Sequence, residues 1–321
     1  MSIVELMRGY KVCAETCMGV KPGENVLIIT DLDNMDRAEG LAIASFMADA
    51  EPIILCEPSL KKFTSEPSKL VRECMMNADV VFVSLPLFYS TLLFHTQARK
   101  DTVKTGVRLG VVCLNSENAD VTKEEIMQTK KLSEQLATLL TQAETVRVRT
   151  KKGTDITMSI KGRKALAFSG LMNRPGDSGM IPHYGEAAIA PVEGSAEGTV
   201  VVDGSMSGLG LFREPVVWRV QKGKVVEITG KEDAQRLKDL LKKADENAIN
   251  IAELGIGTVA RGEITGNDDD KKLLGTGHIA IGNNLFGGGS INSNIHLDGI
   301  FRNMTLELDG SVIMEDGVLK F

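Results

Sequence analysis

Four short apolar segments in the first 115 residues constrain the fold more than any other feature of the sequence. Each is rich in Val, Ile and Leu and apolar on both faces, and together they cover 25–31, 51–56, 79–85 and 109–114. Amphipathic helical patterns separate them and follow the last one, at 35–49, 66–77, 90–103 and 122–144. Apolar strands that alternate with helices are typical of a parallel sheet covered by helices on both faces. We therefore predict a Rossmann-like open α/β domain over residues 1–145.

The turn after the first apolar segment lacks the chemistry of a nucleotide site. It consists of Asp31-Leu32-Asp33-Asn34-Met35-Asp36, with no glycine and with three acidic side chains. A bound phosphate needs bare backbone N–H groups and a positive environment at this position. The motifs G-x-G-x-x-G and G-x-x-x-x-G-K-[ST] do not occur in the chain. We expect this domain to be a scaffold.

From residue 146 the pattern changes to short segments in which polar and apolar residues alternate. Residues 146–150 and 155–160 predict a hairpin, with Lys152-Gly153 in its turn. Further strands are predicted at 198–203, 216–220, 224–228, 304–308 and 312–314, and a helix at 231–247. Alternation with period two is typical of antiparallel strands with one buried face. We predict a mainly antiparallel β domain over residues 146–321, which gives the chain an α+β fold.

Charge and composition exclude several classes of function. The 37 basic residues are outnumbered by 43 acidic residues and form no basic stripe, so we expect no nucleic-acid partner. No segment approaches the roughly 20 apolar residues of a membrane span, and the N-terminus has no signal-peptide pattern, so we expect no membrane partner. The five cysteines are odd in number and three lie in or beside apolar runs, which is typical of buried thiols in a reducing compartment. These features predict a cytoplasmic protein.

The residues with the most distinctive chemistry are two histidines and three carboxylates of the second half. His296 and Asp298 are two positions apart on an extended segment, so their side chains point to the same side. His278 lies in an apolar segment framed by glycines, and Glu186 and Glu253 each lie in an apolar run without a Lys or Arg. A carboxylate in apolar surroundings has a large desolvation cost unless a cation or a metal ion is paired with it.

Two histidines and three carboxylates form a ligand set suited to Zn²⁺, Co²⁺ or Mn²⁺, as one ion or two. Simpler interpretations stay open at this point. A histidine in a strand can be a core residue, and a His-x-Asp pair can be an imidazole that a carboxylate orients without a metal. The joint pattern favours a metal site.

The order of these residues resembles that of the M29 family of metallo-aminopeptidases. The matching motifs span about residues 180–310 and are Gly185-Glu186 with Ala190-Pro191, Glu253, His278-Ile279-Ala280-Ile281-Gly282 and His296-Leu297-Asp298. The resemblance implies a homodimer with a two-metal centre in each subunit. Its metal ligands would be Glu186, Glu253, His278, His296 and Asp298.

The same resemblance implies hydrolysis of N-terminal peptide bonds by a metal-activated water, with Glu186 or Glu253 as general base. His183 and Tyr184 would be candidates for hydrogen-bonding the oxyanion. One position departs from the family, because a tyrosine seven residues beyond the strand histidine is replaced by Leu285. Our first expectation is therefore a cytoplasmic hydrolase, a zinc or cobalt aminopeptidase, that acts on small peptides or other small molecules.

Two alternatives remain. The His296-Leu297-Asp298 segment followed by Arg302 is similar to iron-dependent 2,5-dihydroxypyridine 5,6-dioxygenases, which hold a mononuclear Fe(II) with two histidines and one carboxylate. Glu253 stands where their first histidine falls, and His278 could complete such a triad. The retained Glu186 and Glu253 favour the hydrolase over this alternative. The second alternative, suggested by Leu285, is a catalytically inactive homologue that only binds a ligand.

Overall fold

A computed structural model describes residues 3–57, 66–94, 96–115, 118–182, 184–267 and 269–321. Its α-helices are α1 (Ile3–Lys11), α2 (Met35–Phe46), α3 (Lys69–Met76), α4 (Leu87–Phe94), α5 (Gln97–Lys104), α6 (Lys123–Gln142) and α7 (Glu232–Leu241). The strands of the first half are β1 (Asn25–Thr30), β2 (Glu51–Cys56), β3 (Val80–Ser84), β4 (Arg108–Val112), β5 (Thr145–Arg149) and β6 (Asp155–Ser159).

The remaining strands lie in the second half of the chain. They are β7 (Leu166–Phe168), β8 (Ser178–Ile181), β9 (Glu186–Ile189), β10 (Glu197–Val202), β11 (Ser205–Met206), β12 (Gly210–Leu211), β13 (Val216–Gln221), β14 (Lys224–Thr229), β15 (Ile251–Gly257), β16 (Gly277–Gly282), β17 (His296–Phe301), β18 (Thr305–Leu308), β19 (Ser311–Glu315) and β20 (Val318–Leu319). The chain divides into two compact units, Met1–Gln128 with Ser169–Tyr184, and Thr129–Phe168 with Gly185–Phe321.

The first unit is built on a parallel sheet with the strand order β2-β1-β3-β4-β8. Alternate residues of its strands belong to different hydrophobic clusters, Ile28 and Phe82 to one and Ile29 and Val83 to the other. The sheet is therefore buried on both faces, which explains why its strands are continuous apolar runs. The four predicted apolar segments form β1 to β4, so the predicted α/β sheet is confirmed.

This sheet also contains one strand that the sequence did not predict. β8 pairs in parallel with β4, and Met180 lies opposite Val111. Its four residues are too few for apolar periodicity to identify a strand. Because of β8, the chain returns to the first unit after the hairpin β5–β6 has already begun the second.

The second unit contains two antiparallel sheets. One has the strand order β14-β13-β10-β6-β5-β18-β19-β20, and the other has the order β12-β11-β17-β16-β15-β9-β7. Trp218 of the first sheet and Phe301 of the second lie in one hydrophobic cluster and are fully buried. The predicted hairpin forms as β5–β6, and the strands predicted at 216–220 and 224–228 pair as β13–β14. The predicted α+β fold, a parallel α/β region with antiparallel sheets, is confirmed.

Two further expectations from the sequence concern cysteines and membranes. All five cysteines are free thiols that form no disulfide bond, and Cys13 and Cys17 are buried. Across the described ranges, no helix is long and apolar enough to cross a membrane.

Candidate metal centre

Four adjacent strands of the seven-stranded sheet carry the five residues predicted as metal ligands. The strands lie in the order β17-β16-β15-β9, and each pair is antiparallel. In this register Glu186 pairs with Gly257, and His278 pairs with Gly255. A glycine therefore stands opposite each of these two side chains, which leaves space for polar groups to converge.

The five side chains form one cluster. The His278 Nε2 atom lies 3.2 Å from Glu186 Oε1, 3.3 Å from Glu253 Oε1 and 3.8 Å from Asp298 Oδ1. The His296 Nε2 atom lies 3.2 Å from Asp298 Oδ1 and 3.5 Å from Glu253 Oε2. Ligand atoms of Glu186, Glu253 and His278 all lie within 4.8 Å of one another. The structure brings all five predicted residues together, and their role as metal ligands remains a prediction.

Several polar atoms of this cluster are buried without a hydrogen bond. Glu186 is 1% exposed, Glu253 2% and Asp298 4%. Both carboxylate oxygens of Glu186, Glu253 Oε2 and Asp298 Oδ1 find no hydrogen-bond partner among the described residues. A buried carboxylate oxygen without a hydrogen bond carries a desolvation cost in general. A divalent cation between them would satisfy these lone pairs, so the donor set fits a metal ion.

The shifted pKa values of the cluster indicate a negative electrostatic potential at the histidines. Burial would lower the pKa of His278, but the carboxylates of Glu186 and Asp298 outweigh it and raise that pKa to about 10. Burial would raise the pKa of Glu186, but Lys271 and His278 outweigh it and lower that pKa to about 2. For Glu253 burial prevails, and its pKa is raised. A potential that draws a proton onto a buried histidine also attracts a metal cation.

A hydrogen bond fixes the orientation of His296. Its Nδ1–H donates to the carbonyl oxygen of Asn283 at 2.7 Å. Because a carbonyl can only accept, the neutral ring carries its proton on Nδ1 and directs the Nε2 lone pair at the cluster. The His296 side chain is 26% exposed, and the Phe286 ring packs edge-on against it with centroids 5.2 Å apart. His296 therefore marks the side of the cluster that solvent reaches.

Two residues of the site were not found from the sequence. The Lys271 Nζ atom lies 2.9 Å from Asp298 Oδ2 and 3.7 Å from Glu186 Oε2, so a cation faces two of the carboxylates. A Cβ atom on Gly255 would lie 1.9 Å from His278 Cε1, so the imidazole occupies space that only glycine leaves open. Lys271 follows the acidic run 267–270, which is typical of a solvated loop, and glycine carries no chemistry that a motif search detects.

Three further positions are involved in the peptidase resemblance. His183 lies outside the described residues. Tyr184 belongs to the first unit, whereas the cluster belongs to the second. Leu285, at the position of the family tyrosine, is 49% exposed and has an apolar side chain that cannot donate a hydrogen bond.

Comparison with solved structures shows a fold shared with two enzymes. The structure of 2,5-dihydroxypyridine dioxygenase from Pseudomonas putida KT2440 superposes with a TM-score of 0.78 and 21% identity, covering 100% of this chain and 98% of that one. AmpT from Thermus thermophilus, an M29 aminopeptidase, gives a TM-score of 0.67 and 17% identity, covering 99% of each chain. The M29 resemblance therefore corresponds to a shared fold.

Comparison of sequences distinguishes between the dioxygenase and the aminopeptidase. The 2,5-dihydroxypyridine 5,6-dioxygenase of Pseudomonas putida KT2440 is 28% identical over 242 residues, 70% of this chain and 68% of that protein. The sequence model of the NicX family, described as 2,5-dihydroxypyridine 5,6-dioxygenase, matches residues 6–321. The predicted aminopeptidase, hydrolase and protease activity is therefore wrong, because the segment His296-Leu297-Asp298 resembles both groups of enzymes and does not distinguish their reactions. The chain belongs to the NicX family of 2,5-dihydroxypyridine 5,6-dioxygenases.

Proposed function

We propose that this protein is a metal-dependent dioxygenase that opens a small dihydroxylated aromatic ring, with 2,5-dihydroxypyridine as the first substrate to test. The observation that carries the proposal is the cluster of two histidines and three buried carboxylates, four of whose oxygens lack a hydrogen-bond partner among the described residues. Membership of the family supports the substrate class. In this reaction both atoms of O₂ enter the ring as the C5–C6 bond breaks, so no further oxidant or reductant is consumed.

Fe(II) is the metal that this proposal assigns to the cluster. His278, His296 and Asp298 supply two imidazoles and one carboxylate, a ligand set that leaves open positions and is typical of non-haem Fe(II) oxygenases. The metal, when bound, would activate O₂ and the hydroxylated ring towards each other. The His296–Asn283 hydrogen bond keeps the imidazole in the tautomer that can bind a metal.

Residues around the cluster supply positioning and proton transfer. Glu253 Oε2 has no hydrogen-bond partner in the described part of the chain and lies beside His296, the member of the cluster nearest solvent. This oxygen is therefore placed to accept a proton from a ring hydroxyl. Phe286 is 51% exposed and contacts the His296 ring, so its face offers a surface on which an aromatic substrate can stack.

The test is oxygen-dependent turnover by the full chain loaded anaerobically with Fe(II). Consumption of 2,5-dihydroxypyridine is followed together with O₂ uptake, and the product should have the mass of substrate plus one O₂. We expect His296→Ala to lose at least about 100-fold in rate because an iron ligand is removed. Asp239→Asn, which changes an exposed carboxylate on α7, is the matched control and should keep wild-type activity.

Failure of the iron-loaded protein to consume 2,5-dihydroxypyridine or other dihydroxylated rings would rule out the proposal. So would turnover that His296→Ala leaves unchanged. The homodimer, which the M29 resemblance implies, and the cytoplasmic location, which the sequence predicts, remain predictions.

A further inference from the structure

Lys271 is a cation built into the metal cluster. It lies in the 3-10 turn Asp270–Lys272, and its side chain is 16% exposed. Its ammonium group makes a 2.9 Å ion pair with Asp298 Oδ2 and lies 3.7 Å from Glu186 Oε2. Removal of a lysine head group from water is costly, so such a position needs compensating carboxylates, which Asp298 and Glu186 supply.

The two carboxylates present different oxygens to Lys271 and to the histidines. Asp298 directs Oδ2 at the ammonium and Oδ1 at His296 Nε2, 3.2 Å away. Glu186 likewise directs Oε2 at the ammonium and Oε1 at His278 Nε2, 3.2 Å away. Each carboxylate therefore lies between two positions that favour a positive charge. One position is beside the histidines, and the other is occupied by the ammonium group. Bridging carboxylates of this kind also hold the paired ions of two-metal sites.

We propose that the Lys271 ammonium takes the place of a second metal ion and is the reason that the cluster, to which the proposed function assigns one Fe(II), does not bind two ions. Charge supports this stoichiometry. The three carboxylates and the ammonium leave two negative charges, which one divalent ion neutralises, whereas a second ion would add uncompensated positive charge to a buried site. The inference rests on the metal site of the proposed function and not on its substrate.

The test is the number of Mn²⁺ ions that the purified, metal-stripped full chain binds, measured by calorimetry and by elemental analysis after gel filtration. Wild type should bind about one equivalent even with Mn²⁺ in large excess. Lys271→Ala removes the charge and leaves space, and should bind about two, with the paired-ion signature of exchange coupling in electron paramagnetic resonance. Lys271→Arg keeps the charge and should stay at about one.

Lys238→Ala changes an exposed lysine on α7 and is the control for loss of surface charge; it should bind as wild type does. Circular dichroism checks that each variant is folded. Two equivalents in wild type would overturn the inference without any variant, and so would one equivalent in folded Lys271→Ala. If wild type cleaves the ring and folded Lys271→Ala binds one ion, the inference about Lys271 is refuted and the proposed function stands. Correct stoichiometries without ring cleavage would refute the proposed function alone.

Discussion

Gly255 leaves open the space that the His278 imidazole occupies. It lies opposite His278 in the register of β15 and β16. A Cβ atom there would lie 1.9 Å from His278 Cε1 and 2.7 Å from Glu186 Oε1, both far inside contact distance. We expect Gly255→Ala to displace the imidazole, to weaken Mn²⁺ binding at least about 10-fold and to destabilise the second unit by about 1–3 kcal/mol. Calorimetric titration and chemical denaturation measure the two effects.

A double-variant cycle tests whether the clash with His278 is the cause. His278→Ala removes the two imidazole atoms that lie closest to the new methyl group. In that background Gly255→Ala should cost much less stability, since the remaining close contact is with Glu186 Oε1, the end of a side chain. Equal costs in both backgrounds would contradict this explanation.

At the residue scale, the cost of desolvation determined which site residues could be predicted from the sequence. Glu186 and Glu253 stood out because carboxylates inside apolar runs need a partner, and the structure places both beside His278. Lys271 did not stand out, because a lysine after an acidic run is typical of a solvated loop. Its ion pair with Asp298 spans 27 positions in the chain, a distance that local patterns do not report.

At the scale of elements, apolar periodicity predicted the strands that are long or buried on both faces. It predicted a single helix at 90–103, whereas the structure has two helices there, Leu87–Phe94 and Gln97–Lys104. Thr96 lies between them, and its side chain accepts a hydrogen bond from the Arg99 backbone N–H, which starts the second helix. Apolar periodicity also missed β8, whose position beside β4 depends on tertiary pairing.

The segment 284–290, which carries Phe286, is held by one carboxylate. Glu193 Oε1 accepts hydrogen bonds from the Ser290 backbone N–H at 2.7 Å and from the Asn284 amide at 3.0 Å. Glu193 Oε2 pairs with Arg163, which also donates to the Gly288 carbonyl. Burial would raise the pKa of Glu193, but these donors outweigh it and lower the pKa from 4.5 to about 2.

This shift predicts how acid affects the segment. A carboxylate with a lowered folded-state pKa contributes stability that is complete above its ordinary pKa of 4.5 and is lost as the pH falls to about 2. We expect Glu193→Gln to be about 1–2 kcal/mol less stable than wild type at neutral pH. The difference should shrink between pH 4.5 and 2, as measured by denaturant unfolding at each pH.

Glu263→Gln is the control for this experiment, because Glu263 is an exposed glutamate outside the helices and strands. Its stability should follow that of wild type at every pH. A difference between wild type and Glu193→Gln that stays constant down to pH 2 would show that the ionised carboxylate does not hold the segment.

At the scale of the molecule, the cluster and its supporting residues all belong to the second unit. Glu186, Glu253, His278, His296, Asp298 and Lys271 lie within Gly185–Phe321. The two units have separate hydrophobic clusters, the parallel sheet in one and the antiparallel sheets in the other. A metal that binds only the folded second unit stabilises that unit by mass action, by about 2.7 kcal/mol when its concentration is 100 times its Kd.

Hydrogen exchange, read strand by strand with and without Mn²⁺, tests this localisation. The most protected amides of β15, β16 and β17 should exchange about 100-fold more slowly with metal at that concentration, since their exchange requires the second unit to open. The amides of β1, β3 and β4 should keep their rates. In His296→Ala, where a ligand is lost, the added protection of β15 to β17 should largely disappear. Equal slowing of β1 and β15 would mean that the units open as one body, and the metal would then stabilise the whole chain through a site formed by its second half.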